Sequence, residues 1–185
     1  MDYGLTEMQV MIRDLCRQVA QDKVKPIREH YDEINEFPHE IVKVFADADL
    51  CGVYIGEEYG GMGGGCMELA VTVEELSKVC SGIALALAAT ALGTFPIILF
   101  GNEDQKKKYL PRIASGKALA AFGLTEANAG SDASGITTTA ILDGDHYVLN
   151  GTKQWITNGG EAEIYTVVAM TNKAKGARGA SAFIV

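Results

Sequence analysis

No basic field can be assembled from this sequence. Its 16 Lys and Arg are outnumbered by 24 Asp and Glu, for a net charge of −8. A nucleic-acid binder needs positive charge to offset phosphate repulsion, so no nucleic-acid partner is expected. The one basic run, Lys106-Lys107-Lys108, follows Glu103 and Asp104 and reads as a solvated helix face. Four cysteines, Cys16, Cys51, Cys66 and Cys80, form no C-x-x-C pair and have no histidine at ligand spacing. That pattern predicts no metal site and fits a reducing compartment. The G-x-S-x-G elbow of serine hydrolases is missing, and His30, His39 and His146 lie far apart. "YGGMGGG", Tyr59 to Gly65, fails G-x-G-x-x-G because Cys66 occupies the last position, and it lacks Gly-Lys-Ser/Thr. It is expected to be a flexible turn between helices. "MDYGLTEMQV" has no basic-then-apolar leader, which predicts a cytoplasmic protein, or a mitochondrial-matrix one if a transit peptide was removed. Ile83 to Phe100 carries no charge and has the length of a short membrane span. Its alanines, the interruptions at Gly93 and Pro96, and the want of close flanking Lys or Arg predict a buried helix and no membrane insertion. Asn150-Gly151-Thr152 matches a glycosylation acceptor but carries no weight without a secretion signal.

What is present changes texture after Lys117. Before it, helical signals dominate. Thr6 with Gln9 makes a capping-box pattern, Leu5 and Val10 a hydrophobic staple, and Met8, Met11, Ile12, Leu15 and Val19 one apolar face. Pro26 should stop that helix, and Pro38 should open another with Ile41, Val42, Phe45 and Ala48 on its face. Further helices are expected over Glu68 to Val79, over the apolar run, and over Glu103 to Leu110, the last ending before Pro111. After Lys117, β-branched residues and alternation take over. Asp143-Gly144 and Asn150-Gly151 are tight-turn dipeptides, and "IYTVVAMT" and "ASAFIV" read as two more strands. Helices followed by strands predict an α+β chain: an all-helical domain over 1–117, then an antiparallel β-domain over 118–185. The last strand reads as unfinished at Val185, so a longer protein is expected.

One loop has chemistry to explain. "AFGLTEANAGSDASG", Ala121 to Gly135, is small for an unusual length. Gly123, Ala127, Ala129, Gly130 and Gly135 let a bulky planar or phosphorylated ligand reach the main chain. The N–H groups of Gly130 and Ser131 could cradle an anion, and Thr125 and Ser131 add hydroxyls. Thirty residues on, "QWITNGG" sets Trp155 and Thr157 two apart on an expected strand, hence on one side of a sheet. A flat aromatic beside a hydroxyl donor suits the wall of a flavin site. On spacing alone, a core role for Trp155 and a turn role for Thr157 fit better.

The combination is more specific than its parts. "FGLTEANAGSDASG" followed by "LNGTKQWITNGG" resembles the flavin-binding signature of the acyl-CoA dehydrogenase family. "YIGEEYGGMG" and "LGTFPIILFGNEDQKKKYLP" resemble its N-terminal helical domain, and the phrasing is nearest to the short-chain, butyryl-CoA branch. The resemblance implies FAD as cofactor. It implies that Phe122, Leu124 and Thr125 meet the isoalloxazine, that Gly130 and Ser131 approach the pyrophosphate, and that Ser131 also touches the thioester substrate. Trp155 would pack on the flavin, Ile156 would contribute backbone, and Thr157 would hydrogen-bond near N5. It also implies α,β-dehydrogenation of an acyl-CoA, electron-transferring flavoprotein as acceptor, and a homo-oligomer, dimer or tetramer. The family's catalytic carboxylate belongs to a C-terminal helical domain beyond this chain, so no catalytic residue is assigned here. Glu126, though inside the motif, is expected to be structural. Leu92 to Ile98 is implied to help line the acyl pocket. Ala127 and Gly56 stand where the family commonly has proline, which should loosen the backbone slightly without removing a contact. Acyl-CoA oxidase or nitroalkane-oxidase-like chemistry, and a flavin-free binding module, remain alternatives.

Overall fold

The first helix forms where its cap directs. In the computed structural model, which describes residues 4–185, the Gln9 N–H donates to Thr6 Oγ1 at 3.2 Å and the Thr6 N–H to Gln9 Oε1 at 3.0 Å. That closes the capping box and opens α1, Glu7–Val19. Its buried line is Gln9, Ile12, Cys16 and Val19, while Met8 and Met11 stand exposed, so the core-facing stripe is rotated from the expected one. One π-helical turn, Ala20–Val24, carries the helix on to Pro26. A short helix that sequence reading missed follows, α2 over Arg28–Ile34. It buries no side chain and so leaves no apolar period to read. Pro38 then caps α3, His39–Asp47, which buries Ile41 and Phe45.

"YGGMGGG" folds back on the chain before it. Met62 N–H donates to Gly52 O and Gly63 N–H to Ile55 O, both at 2.9 Å, so the segment is the expected turn between helices but a packed one rather than a flexible one. Beyond it run α4, Cys66–Ser77, α5, Ser81–Phe100, and α6, Glu103–Ala114. Two prolines behave differently from expectation. Pro96 does not interrupt α5, and Pro111 lies inside α6 rather than beyond its end. The carbonyl that Pro111 leaves without a helical donor belongs to Lys107, which is exposed to water. The last turn stays helical because Leu110, Ile113 and Ala114 are buried on the core.

Helix α5 is the central member. Among the described residues it is the one helix long and apolar enough to cross a membrane, and 56% of its most apolar stretch is buried inside the protein. Two hydroxyls turn inward along it, Thr90 Oγ1 donating to Ala86 O and Thr94 Oγ1 to Thr90 O. Gly93 sits where the helix presses on the sheet. A Cβ there would lie 2.7 Å from Ala121 O and 2.8 Å from Ala121 N. Thr166 Oγ1 completes the contact by donating to Gly93 O at 2.7 Å.

The sheet contains β1 (Ala120–Gly123), β2 (Thr139–Asp143), β3 (His146–Asn150), β4 (Ile164–Met170) and β5 (Ala180–Ile184). Its order is β1-β4-β2-β3, with β5 on the free edge of β4. The expected antiparallel pairing holds for β2·β3 and β4·β5, but β1 and β2 both run parallel to β4, so the sheet is mixed. The parallel pairs join segments separated by long connections, which no local turn signal announces. Asp143-Gly144 makes the expected hairpin, with Gly144 at φ +63°. Asn150-Gly151 makes no hairpin and instead releases the chain into an irregular crossing to β4. Helices and sheet share one core that runs from Ile12 and Phe45 through Leu87 and Ala91 to Ala120 and Ile164.

Candidate functional site

Beyond β1 the chain makes a closed turn, with Glu126 and Ala129 exchanging backbone hydrogen bonds at 3.1 and 3.0 Å. Glu126 points inward rather than at a ligand. Its carboxylate accepts from the N–H groups of Thr137 and Thr138 at 2.7 and 3.0 Å and from their hydroxyls at 2.7 and 2.6 Å. The fifth donor is Lys153 Nζ at 2.8 Å, which also donates to Leu124 O at 2.9 Å. Burial alone would push the Glu126 carboxyl up. The Lys153 ammonium and the Thr138 and Thr137 hydroxyls outweigh it and hold the group well below the usual carboxylate range. Glu126 is therefore a permanent anion that organises the loop.

The crossing segment Gly151–Ala162 forms the facing wall. Gln154 N–H donates to Thr125 O at 2.9 Å, which ties this segment directly to the loop after β1. Trp155 is not on a strand, as its spacing had suggested. It occupies a bend at φ +59°, and the residue is 83% exposed. Asn158 follows at φ +63° and is buried, and Gly159 N–H closes a turn onto Ile156 O at 2.9 Å.

Between the two walls lies an open hollow of about 150 Å3, lined by Phe122, Leu124, Thr125, Trp155, Ile156 and Thr157, with Ala89 and Leu92 of α5. Trp155 and Thr157 thus reach one cavity, though a kinked turn rather than strand alternation brings them there. Gly130 and Ser131 are not brought to it. Both are exposed outside the hollow, and the space a Gly130 side chain would enter is open. Ala89 was missed by sequence reading. The available signal was the exposed line Leu85, Leu92, Leu99 at seven-residue spacing, which marks the helix face not used by the core. None of the eight lining side chains titrates, so the hollow can bind and orient but supplies no proton acceptor of its own. Cys16 and Cys51 lie elsewhere, buried, and burial pushes both thiols up to about 11, which makes them packing residues.

The chain matches known proteins in both sequence and fold. Residues 6–117 match the acyl-CoA dehydrogenase N-terminal domain, and residues 121–185 match the acyl-CoA dehydrogenase middle domain. A short-chain-specific acyl-CoA dehydrogenase of Clostridium acetobutylicum is 45% identical over all of this chain and 49% of its own length. The solved butyryl-CoA dehydrogenase of Megasphaera elsdenii superposes with a TM-score of 0.95 at 42% identity, over 100% of this chain and 50% of that one. An acyl-CoA dehydrogenase of Bacillus anthracis, solved with FAD, gives 0.88 at 40% identity, over 98% of this chain and 31% of that one. The chain spans about half the length of the curated relatives it matches. With both domains matched in order and a fold held in common, this chain belongs to the acyl-CoA dehydrogenase family.

Proposed function

We propose that residues 4–185 form the flavin-binding half of an FAD-dependent acyl-CoA dehydrogenase acting on short-chain thioesters. One observation carries the reading: six residues from two distant segments, Phe122 to Thr125 and Trp155 to Thr157, converge with α5 on one hollow. The lining fits a planar, amphipathic ring system. Trp155 and Phe122 supply flat apolar surface, Thr125 and Thr157 supply hydroxyl donors, and Ala89 leaves room beside the helix. When bound, FAD supplies the two-electron acceptor for oxidising the Cα–Cβ bond of an acyl-CoA to the trans-2-enoyl-CoA.

The chain's own contribution is to hold and orient. Leu124 and Ile156 would grip the ring from opposite walls. Thr125 would hydrogen-bond its pyrimidine side, and Thr157 would place a fixed donor where electron density grows on reduction. Gly130 and Ser131, on the exposed segment outside the hollow, would approach the pyrophosphate, with Ser131 also touching the thioester. Leu92, already in the lining, would begin the acyl pocket that continues toward Ile98. The α-proton would be taken by a carboxylate outside residues 1–185. Electron-transferring flavoprotein as acceptor, a dimeric or tetrameric assembly and the division at 117/118 belong to the same proposal. Similarity to bacterial acyl-CoA dehydrogenases supports a cytoplasmic location.

The test uses the full-length protein. It should take up FAD stoichiometrically, and anaerobic butyryl-CoA should bleach the flavin, with reoxidation by electron-transferring flavoprotein much faster than by oxygen. A colourless protein that takes up no added FAD would overturn the reading. Rapid oxygen consumption during turnover would move it to an oxidase. A residue-level test is Trp155→Ala. Because Trp155 is 83% exposed, stability should change by no more than about 0.5 kcal/mol. FAD affinity should nonetheless fall by about ten-fold, and unchanged affinity by equilibrium titration would remove Trp155 from the site.

A further inference from the structure

Asn158 carries two costs at one position. It adopts φ +63°, which a non-glycine residue rarely does, and its Oδ1 is buried with no hydrogen-bond partner among the described residues. The other half of the amide is heavily used. The two Nδ2 hydrogens are shared among three acceptors, Ala86 O at 3.0 Å, Thr90 Oγ1 at 3.1 Å and Ala120 O at 3.3 Å. Turning the amide over would set Oδ1 against two carbonyl oxygens, so the orientation is fixed by its acceptors. Those acceptors matter for where they lie. Ala86 and Thr90 are one helical turn apart on α5 and bracket Ala89, which lines the hollow. Ala120 opens β1, two residues before Phe122. Asn158 itself directly follows the wall residues Trp155, Ile156 and Thr157.

We propose that Asn158 is a positioning residue for the hollow. Its amide pins the Trp155–Thr157 wall to both α5 and β1, which fixes the width of the gap and the height of the Thr157 hydroxyl over it. Asparagine suits the position because it tolerates the left-handed backbone and presents a donor. Glycine would keep only the backbone, and aspartate would put an acceptor where the donor is needed. No other side chain bonds this turn to α5 among the hydrogen bonds described, so nothing replaces the amide when it is removed.

This inference rests on the flavin reading, and its test separates the two. Asn158→Gly and Asn158→Asp are made in the full-length protein, and amide hydrogen exchange is followed over residues 154–162 with and without FAD. In Asn158→Gly, exchange over that segment should speed up about ten-fold without FAD, while Cys66–Ser77 of α4 keeps its protection. FAD affinity should drop by a similar factor. Asn158→Asp should bind FAD poorly at pH 8 and regain affinity as pH falls, because a protonated carboxyl can donate where a carboxylate repels. The glycine variant should show no such recovery. If Asn158→Gly does not fold, Thr90→Val removes one of three acceptors, leaves the turn intact and should show the same local loosening in smaller degree. Unchanged exchange over 154–162 in Asn158→Gly, or an Asn158→Asp protein with wild-type FAD affinity at pH 8, overturns the proposal. Should wild type bind no FAD, the flavin reading fails, and the exchange arm without FAD still decides the role of Asn158.

Discussion

Replacing Lys153 by methionine is expected to lower the unfolding free energy by about 3 kcal/mol at pH 7, read from the midpoint of urea denaturation. The side chains of Lys153 and Glu126 are only 12% and 6% exposed, so the substitution leaves a carboxylate in a poorly hydrated site without its counter-charge. The loss should fall at the lower end for a broken buried pair, because Thr137 and Thr138 still contribute four hydrogen bonds to the carboxylate. The pH dependence supplies a signature. Glu126 has a depressed pKa in the folded protein, so its contribution is fully present above the unfolded value of about 4.3 and is lost as pH falls toward the folded value. Without the ammonium the folded pKa rises, so less is left to lose. The gap between wild type and Lys153→Met should therefore narrow below about pH 4. A constant gap across that range would mean that Lys153 stabilises by packing rather than by charge. Since Lys153 also holds Leu124 O, the same variant should bind FAD more weakly.

Gly93→Val is the second large effect. The neighbours a Cβ would strike are main-chain atoms of Ala121, and main chain in a strand cannot rotate away. Relief requires α5 to move off β1, breaking the Thr166 hydroxyl bond to Gly93 O and widening the gap between Leu92 and Phe122. Overpacking of this kind costs about 3 kcal/mol. The variant should melt at lower temperature and, where folded, should also bind FAD less tightly. Gly93→Ala should show both effects in smaller degree. Wild-type melting in either variant would mean that the helix and strand have slack the close contact does not suggest.

The two segments that make the hollow were legible in the sequence because each is a local pattern: a run of small residues in one, an aromatic with a hydroxyl two places on in the other. The first helix cap was legible for the same reason, since Thr6 and Gln9 satisfy each other's donors three residues apart. What escaped depends on distant partners. Parallel pairing of β1 with β4 joins Ala120 to Ile164 with no turn to signal it. Pro111 stays in a helix because the residues after it are buried against other elements, and its own neighbourhood argues the other way. Ala89 carries no chemistry of its own, so only the seven-residue spacing of Leu85, Leu92 and Leu99 on the same helix points toward it, and its part in the site lies in leaving space. Spacing suggests a strand for Trp155 because alternation assumes extended backbone, whereas the chain here turns through positive φ at Trp155 and Asn158.

Tryptophan occurs once in these 185 residues, and it stands in the wall of the hollow with its indole open to the gap. Excited at the red edge of indole absorption, where the 7 tyrosines scarcely absorb, the intrinsic emission of this chain is therefore a local signal. An indole so exposed emits like one in water, and a flavin lying against it would drain the excited state by energy transfer. The feature that shapes the cavity also makes occupancy of the site optically visible, with no label attached.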